Sequence, residues 1–115
     1  WVCADALEPP LLAGTFDLVL AVNLFDSVTD PSLAVGQASA LVSSGGWLLA
    51  AQPGAWSASA TPADRWLAPD DWNEVYAAYG LQVVDHHDGI EWVLRRSSRS
   101  SYRYDVPATL LRRID

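Results

Sequence analysis

The feature that most constrains the fold lies between residues 16 and 51, where two apolar segments flank a stretch with helical signals. In the first segment, Phe16–Val22, the only charged residue is Asp17. A nearly continuous apolar run of this length predicts a strand buried on both faces, as in a parallel sheet. The second segment, Trp47–Ala51, predicts another strand. Two such strands separated by a helix form the unit from which α/β sheets are built.

The stretch between these strands carries start and stop signals for a helix. Asp30 is a good N-cap residue, and Pro31 suits the first helical position because its missing N–H has no helical partner there. The pair Gly45-Gly46 predicts the end of the helix, since glycine adopts the left-handed conformation at low cost. Apolar residues between these signals recur on one helical face: Ala34, Ala38, Leu41 and Val42.

The pattern continues to the end of the chain. A second helix is predicted by apolar residues at helical spacing and ends at Gly80. Extended segments follow at Leu81–Val84, at Ile90–Leu94 and at Tyr102–Ile114. The order strand, helix, strand, helix, strand, return strand predicts an α/β fold with a mostly parallel sheet and right-handed crossovers. The helical positions are Trp72, Val75, Tyr76 and Tyr79.

Polar residues cluster where the predicted strands end. The short segment Val2–Ala4 is predicted to be the end of a strand and stops at Asp5. The segments Asn23–Asp26 and Gln52–Trp56 follow the next two strands. Ligands of α/β sheets bind beyond the carboxyl ends of the parallel strands, so we expect a site at this edge.

Composition and charge exclude several classes of function. Residues 1–94 carry 12 acids against Arg65 alone, a net charge of −11, whereas residues 95–115 carry a net charge of +4. An acidic body argues against binding nucleic acid, which requires neutralised phosphates. No apolar run approaches the roughly 18 residues of a membrane span. The lone cysteine, Cys3, cannot form an internal disulfide, so we expect a cytoplasmic location.

Several catalytic motifs are absent. The chain has no lysine, no G-x-G loop and no G-x-S-x-G, which excludes a P-loop, a Schiff base and a hydrolase nucleophile elbow. His86 and His87 are adjacent, and neighbouring side chains on a strand point to opposite faces. We therefore expect no metal site.

Taken in order, these segments resemble the C-terminal half of class I S-adenosylmethionine-dependent methyltransferases, from the third strand to the seventh. The resemblance implies that Asp5 and Ala6 contact the adenine of S-adenosylmethionine, and that Asn23 and Leu24 line its methionine end. The resemblance rests on Ala4-Asp5-Ala6, Phe16–Ala21, Asn23-Leu24, Asp30-Pro31, Gly45-Gly46 and Trp47-Leu48-Leu49.

A narrower resemblance is to the methyltransferase domain of ovothiol-biosynthesis enzymes, which methylate a ring nitrogen of a thiolated histidine. It implies a small-molecule acceptor, with Asp26, Trp56 and Trp66 as substrate-binding residues. One of Arg65, Arg95 or Arg99 is expected to bind a substrate carboxylate, and the sequence does not choose among them; Arg95 is taken as the candidate. Asn23 and Asp26 are the predicted catalytic residues, because an amide and a carboxylate can orient an acceptor nitrogen or take its proton. The narrower resemblance rests on Asn23-Leu24-Phe25-Asp26, Pro53, Trp56, Thr61-Pro62, Trp66-Leu67 and the C-terminal arginines.

The resemblance covers only part of the family's domain. The glycine-rich cofactor loop and the acidic residue that binds the ribose have no counterpart in residues 1–115. Because the sequence begins at Trp1 and has no methionine, we expect the natural start to lie upstream, with the N-terminal half supplied by the same or another chain. The 115 residues alone are expected to bind cofactor weakly or not at all.

An alternative interpretation is a non-catalytic half-domain that completes, dimerises with or regulates a methyltransferase partner. A homo-oligomer is a further expected assembly. A third reading is an α/β enzyme of another class, such as a dehydrogenase fragment. Residues upstream of Trp1 would separate these readings, because a strand followed by a glycine-rich loop favours the methyltransferase.

Overall fold

The computed structural model describes residues 1–115 and contains one four-stranded sheet in the order β1-β2-β4-β3. Strand β1 pairs with β2 in parallel, while β4 is antiparallel to both of its neighbours, β2 and β3. Three strands therefore point the same way and the last one returns between two of them, which confirms the predicted α/β sheet with an antiparallel final strand. The elements are β1 (Phe16–Val22), α1 (Pro31–Leu41), β2 (Val42–Ala51), a 3₁₀ turn (Ala63–Arg65), α2 (Asp71–Ala78), β3 (Leu81–Ser97) and β4 (Ser100–Arg113).

Helix α1 starts as the sequence predicts. The Asp30 carboxylate accepts a hydrogen bond from the backbone N–H of Leu33 at 3.0 Å, and Pro31 is the first helical residue. At the other end, the Arg113 guanidinium donates to the carbonyl oxygens of Ser39, Ala40 and Val42. A cation at this end satisfies carbonyl groups that the helix leaves free and complements its dipole.

The predicted stop of α1 at Gly45-Gly46 is wrong. The helix ends at Leu41 and β2 begins directly at Val42, so both glycines lie inside the strand. The pairing of β1 with β2 is irregular there, jumping from Phe16↔Val42 to Leu18↔Trp47. Gly45 has a φ of +74°, and the left-handed conformation serves this irregularity rather than a helix terminus.

Both helices pack on the same face of the sheet, and the core lies between the helices and that face. Strand β1 illustrates the consequence, because Ala21 is buried whereas Leu20 is 60% exposed. The prediction that β1 is buried on both faces is therefore wrong: no element covers the second face, and β1 is an edge strand. The core contains Ala21, Phe25, Ala34, Val35, Ala38, Val42, Leu48, Ala50, Tyr76, Leu81 and Leu111.

Two further boundaries differ from the sequence prediction. Val2–Ala4 is not a strand and is exposed, since no neighbouring strand is present to pair with it. The two extended segments predicted at Leu81–Val84 and Ile90–Leu94 form one strand, β3, because β4 pairs with it on both sides of an irregularity between His87 and Ile90. None of the helices has the length and apolar character that crossing a membrane requires.

Candidate functional site

Asn23 directly follows β1, at the carboxyl end of the strand, and has an unusual backbone conformation. Its φ of +54° makes it the one non-glycine residue in the left-handed region, where asparagine is tolerated better than most residues. Its backbone N–H donates to the Ala51 carbonyl at 2.6 Å. Its side-chain oxygen Oδ1 is buried and has no hydrogen-bond partner. A buried acceptor left unpaired is costly, so it marks a position suited to a ligand donor.

Gln52 occupies the equivalent position at the end of β2. The residue is 5% exposed, and its Nε2 donates to the Tyr76 hydroxyl over a long 3.4 Å. Its Oε1, like the Asn23 oxygen, is buried without a partner. Burial raises the pKa of Tyr76 above its ordinary value of 10.0, and the hydrogen bond from Gln52 opposes that rise. Neighbouring parallel strands thus both end in an amide with an unsatisfied oxygen.

Asp26 is buried behind this edge, at 4% exposure, and binds the backbone of the following loop. Its Oδ2 accepts hydrogen bonds from the N–H groups of Gly54 at 2.9 Å and Ala55 at 3.1 Å. The Ser27 hydroxyl donates more weakly to Oδ1, at 3.4 Å. The carboxylate therefore fixes the start of the loop that carries Trp56.

The same loop is attached to the segment before α1 at further points. The buried Thr61 hydroxyl donates to the Val28 carbonyl, and the Trp66 indole N–H donates to the Thr61 carbonyl at 2.9 Å. Arg65 donates to the Thr29 carbonyl at 3.2 Å. The bonds from Thr61 and Arg65 attach the loop to the segment before α1, and the Trp66 bond closes the loop on itself.

A row of four aromatic rings follows from this arrangement. Trp56 lies between Trp66 and Trp72, with ring centroids 6.2 Å from each and interplanar angles of 15° and 12°. Trp72 continues the row to Tyr76 at 5.9 Å. Offset, near-parallel rings at these separations are a favourable geometry, and they connect the loop to helix α2.

The aromatic row borders a cavity of about 800 Å³. The lining also includes three polar residues from β3 and β4. The Nδ1 of His86 and the hydroxyl of Thr109 are 2.8 Å apart, and the Asp88 carboxylate is 2.9 Å from His86 Nε2. A volume of several hundred Å³ with apolar walls and a few polar groups suits a small-molecule ligand. The cavity is lined by Gln52, Pro53, Gly54, Trp56, Trp66, Leu67, Ala68, Pro69, Asp70, Trp72, Asn73, Tyr76, Val83, His86, Asp88, Pro107 and Thr109.

The structure brings some predicted site residues together and separates others. Trp56 and Trp66 line the cavity, whereas Asp26 lies behind the loop and does not. Arg95 pairs with Ser101 near the turn of the β3–β4 hairpin and is also absent from the lining. Arg95 follows the cavity residue Asp88 by seven positions, about 20 Å along an extended strand.

The predicted cofactor-binding residues lie in two segments, the N-terminal turn at residues 5–7 and the segment that follows β1. Asp5 is exposed and its Oδ1 accepts from the Leu7 N–H at 2.9 Å, while Ala6 is half-buried in the same turn. Leu24 packs against the core next to Asn23. Their contacts with S-adenosylmethionine stay predictions.

Sequence reasoning placed Gln52 at the strand edge but did not recognise it as a lining residue, and it treated Trp72 and Tyr76 only as a helix face. The signal for Gln52 was available, since an amide directly after an apolar strand resembles Asn23. The participation of His86 and Thr109 could not be found, because only the β3–β4 register places them side by side.

Comparison with known proteins adds to this geometry. Residues 1–50 match the family model described as "Methyltransferase domain". A protein from Bacillus halodurans described as a candidate methyltransferase superposes on 97% of this chain with a TM-score of 0.73 at 13% identity. The chain has a methyltransferase fold. A search of the curated proteins gave no match.

Two other solved structures show how widely this methyltransferase fold is used. A S-adenosylmethionine-dependent methyltransferase from Thermotoga maritima has a TM-score of 0.61 at 15% identity over 96% of this chain. The [4+2]-cyclase SpnF has a TM-score of 0.67 at 14% identity over 97%. This chain spans 70% of the Bacillus protein, 62% of the Thermotoga protein and 54% of the cyclase. Because the fold also carries a cyclase, the fold alone does not establish the reaction.

Proposed function

We propose that this chain is part of a S-adenosylmethionine-dependent methyltransferase that acts on a nitrogen of a small molecule. The observation that carries the proposal is the buried, unpartnered Asn23 oxygen at the carboxyl end of β1. Asn23 lies in the region matched by the methyltransferase family model. Asn23 itself does not line the cavity, but Gln52, at the end of the neighbouring strand β2, does.

The fit between these residues and the cofactor rests on their donor and acceptor groups. Asn23 Oδ1 lacks a donor, and the ammonium or a hydroxyl of S-adenosylmethionine supplies one. One oxygen of the exposed Asp5 carboxylate is bound by Leu7, which leaves the other for the adenine amino group. Ala6 and Leu24 supply apolar contacts. When bound, the cofactor provides an electrophilic methyl group on a sulfonium sulfur.

In-line transfer to an acceptor needs little covalent assistance, so the contribution of the protein is mainly positional. We assign Asn23 to orienting the reacting groups through its amide. We assign Asp26 a positioning role, because its oxygens hold the loop at Gly54 and Ala55. The loop in turn places Trp56 against the acceptor cavity.

We further propose that the methyl acceptor is a small nitrogen compound. The Thermotoga neighbour is described as a candidate histamine N-methyltransferase, which favours a small nitrogen compound. A thiolated histidine, the acceptor implied by the narrower resemblance, also carries a carboxylate. In this chain no arginine lines the cavity to bind that group: Arg65 is bonded to Thr29 and is 3.6 Å from Asp30, and Arg95 is in the hairpin.

We also propose that the rest of a methyltransferase domain, from the same or another chain, covers the exposed face of the sheet. That face presents Leu18, Leu20 and Val22, each more than half exposed, next to an unpaired strand edge. One solved neighbour, from Haloferax volcanii, is a complex with the activator Trm112, so protein partners occur among the neighbours of this fold.

Transfer of a labelled methyl group tests the proposal. The full-length protein is incubated with S-adenosylmethionine labelled in its methyl group and a panel of small amines, imidazoles and thiolated histidine. We expect label in at least one nitrogen compound and loss of that label in the Asn23→Ala variant. Cofactor binding without label in any acceptor would favour the non-catalytic alternative.

A further inference from the structure

We infer that the cavity beside the aromatic row recognises a cationic amine carried on an aromatic group, and that it rejects carboxylates. The inference rests on the proposed function only in taking this ligand to be the methyl acceptor. Its direct basis is the charge, hydrogen-bonding capacity and ring content of the cavity wall.

The charged groups around the cavity are acidic. The Asp70 and Asp88 carboxylates border it, and no arginine or lysine does. The only basic side chain, His86, places its Nδ1 2.8 Å from Thr109 and its Nε2 2.9 Å from Asp88. Residues 1–94, which supply most of the cavity lining, are strongly acidic overall, and a negative net charge favours the approach of cations.

Gln52 supplies the second and independent observation. It lines the cavity, is 5% exposed, and its Oε1 has no hydrogen-bond partner. An amide oxygen only accepts hydrogen bonds, so a ligand N–H satisfies it, whereas a ligand carboxylate would place oxygen against oxygen. Since Gln52 Nε2 already donates to Tyr76, the free oxygen is the group left for the ligand.

The aromatic row completes the recognition of such a ligand. The indole rings of Trp56, Trp66 and Trp72 line the cavity, and the three rings stack on one another. Tryptophan binds cations more strongly than the other aromatic residues and stacks with ligand rings. One wall thus selects an aromatic body while the amide oxygen and the carboxylates select a positive nitrogen.

Calorimetric titration of the full-length protein with three matched probes tests this inference without requiring methyl transfer. Benzylamine, benzyl alcohol and benzoate share a ring and differ in charge at neutral pH. We expect benzylamine to bind about fivefold more tightly than benzyl alcohol, from cation–π and charge attraction at a partly exposed site, and benzoate to bind most weakly.

Variants assign the effect to the cavity. Asp88→Asn, which removes an exposed charge, is expected to weaken benzylamine binding about two- to threefold. Gln52→Leu removes the unpartnered oxygen and is expected to reduce the preference for benzylamine over benzyl alcohol. Asp64→Asn removes an exposed acid that does not line the cavity and serves as the matched control.

Equal binding of benzylamine and benzyl alcohol, or tighter binding of benzoate, would overturn the inference. An Asp64→Asn effect as large as that of Asp88→Asn would also overturn it, because the selectivity would then come from overall charge. Amine selectivity in a protein that does not bind S-adenosylmethionine would uphold the cavity inference and reject the proposed function. Binding of S-adenosylmethionine without amine selectivity would reject the cavity inference and leave the proposed function standing.

Discussion

The two faces of the sheet present similar residue types to different surroundings. On the face covered by the helices, Leu48 and Leu111 are fully buried. On the other face, Leu18, Leu20 and Val22 are 53%, 60% and 56% exposed, although they alternate along β1 with the partly buried Val19 and the buried Ala21. Apolar pattern in a strand therefore specifies what each face can bury, while burial itself depends on whether a second layer is present.

The candidate site belongs to the covered face. Its loop is fixed by Asp26, Thr61 and Trp66, and its aromatic row reaches the core through Phe25, whose ring is 6.2 Å from Trp72. The bare face has no comparable set of contacts. The difference is that residues of this chain line the candidate cavity on the covered face, while the other face of the sheet is left exposed.

The largest expected effect compares one leucine from each face. Leu111→Ala removes a fully buried side chain and is expected to reduce the free energy of unfolding by about 2–5 kcal/mol, from lost transfer energy and the cavity left behind. Leu20→Ala, at 60% exposure, is expected to cost less than about 0.5 kcal/mol in the 115-residue chain. Urea denaturation of both variants measures the two values.

The same pair tests what covers the bare face. In the full-length protein, the cost of Leu20→Ala is expected to rise above 1 kcal/mol, by about 25 cal/mol for each Å² of apolar surface that becomes buried. An unchanged, small cost there would contradict the proposal that the rest of a methyltransferase domain packs on this face.

The next effect concerns the buried carboxylate of the covered side. Asp26→Ala leaves the N–H groups of Gly54 and Ala55 without their acceptor, so we expect a loss of about 1–3 kcal/mol in the free energy of unfolding. Tryptophan fluorescence is expected to change because the loop carries Trp56. The control, Asp17→Ala, removes an exposed carboxylate that accepts from the Ser43 hydroxyl at 3.3 Å, and should cost under about 0.5 kcal/mol. Equal costs would show that Asp26 does not fix the loop.

Two substitutions at Asn23 distinguish the effect of its backbone conformation on stability from the effect of its side chain on cofactor binding. Its φ of +54° predicts that Asn23→Ala lowers the free energy of unfolding by about 1 kcal/mol, whereas Asn23→Gly costs little because glycine adopts this conformation freely. Both variants remove the amide oxygen, so both should weaken S-adenosylmethionine binding in the full-length protein. Normal binding by the stable Asn23→Gly variant would remove Asn23 from the cofactor site.

The smallest effect is a pH dependence at Tyr76. Because burial raises its pKa above 10.0, the unfolded chain loses this proton before the folded chain does. The neutral hydroxyl therefore contributes fully to the free energy of unfolding below about pH 10. This contribution is lost as the pH rises toward the pKa of Tyr76 in the folded chain. Denaturation curves of the wild type and Tyr76→Phe across this range measure the difference. A wild-type curve as flat as that of Tyr76→Phe would show that Tyr76 is not protected.

The sequence predicts what is decided locally. The Asp30 cap, the Pro31 start and the antiparallel last strand are confirmed, since each depends on neighbouring residues or on strand order. The stop of α1 was misplaced because a left-handed glycine serves a strand irregularity as well as a helix end.

Long-range geometry accounts for what the sequence did not reveal. The cavity depends on the β3–β4 register that brings His86 to Thr109. It also depends on the carboxylate of Asp26, which binds the backbone of the loop. The exposure of one face of β1 likewise depends on which layers are present, and no local pattern records that.

Calorimetric titration of the full-length protein with S-adenosylmethionine tests the proposal that this chain is part of a cofactor-binding methyltransferase domain. We expect saturable binding at one site per chain, weakened in Asn23→Gly and unchanged in the control Asp64→Asn. An intact, folded protein that releases no heat of binding, with the absence confirmed by equilibrium dialysis, would contradict it.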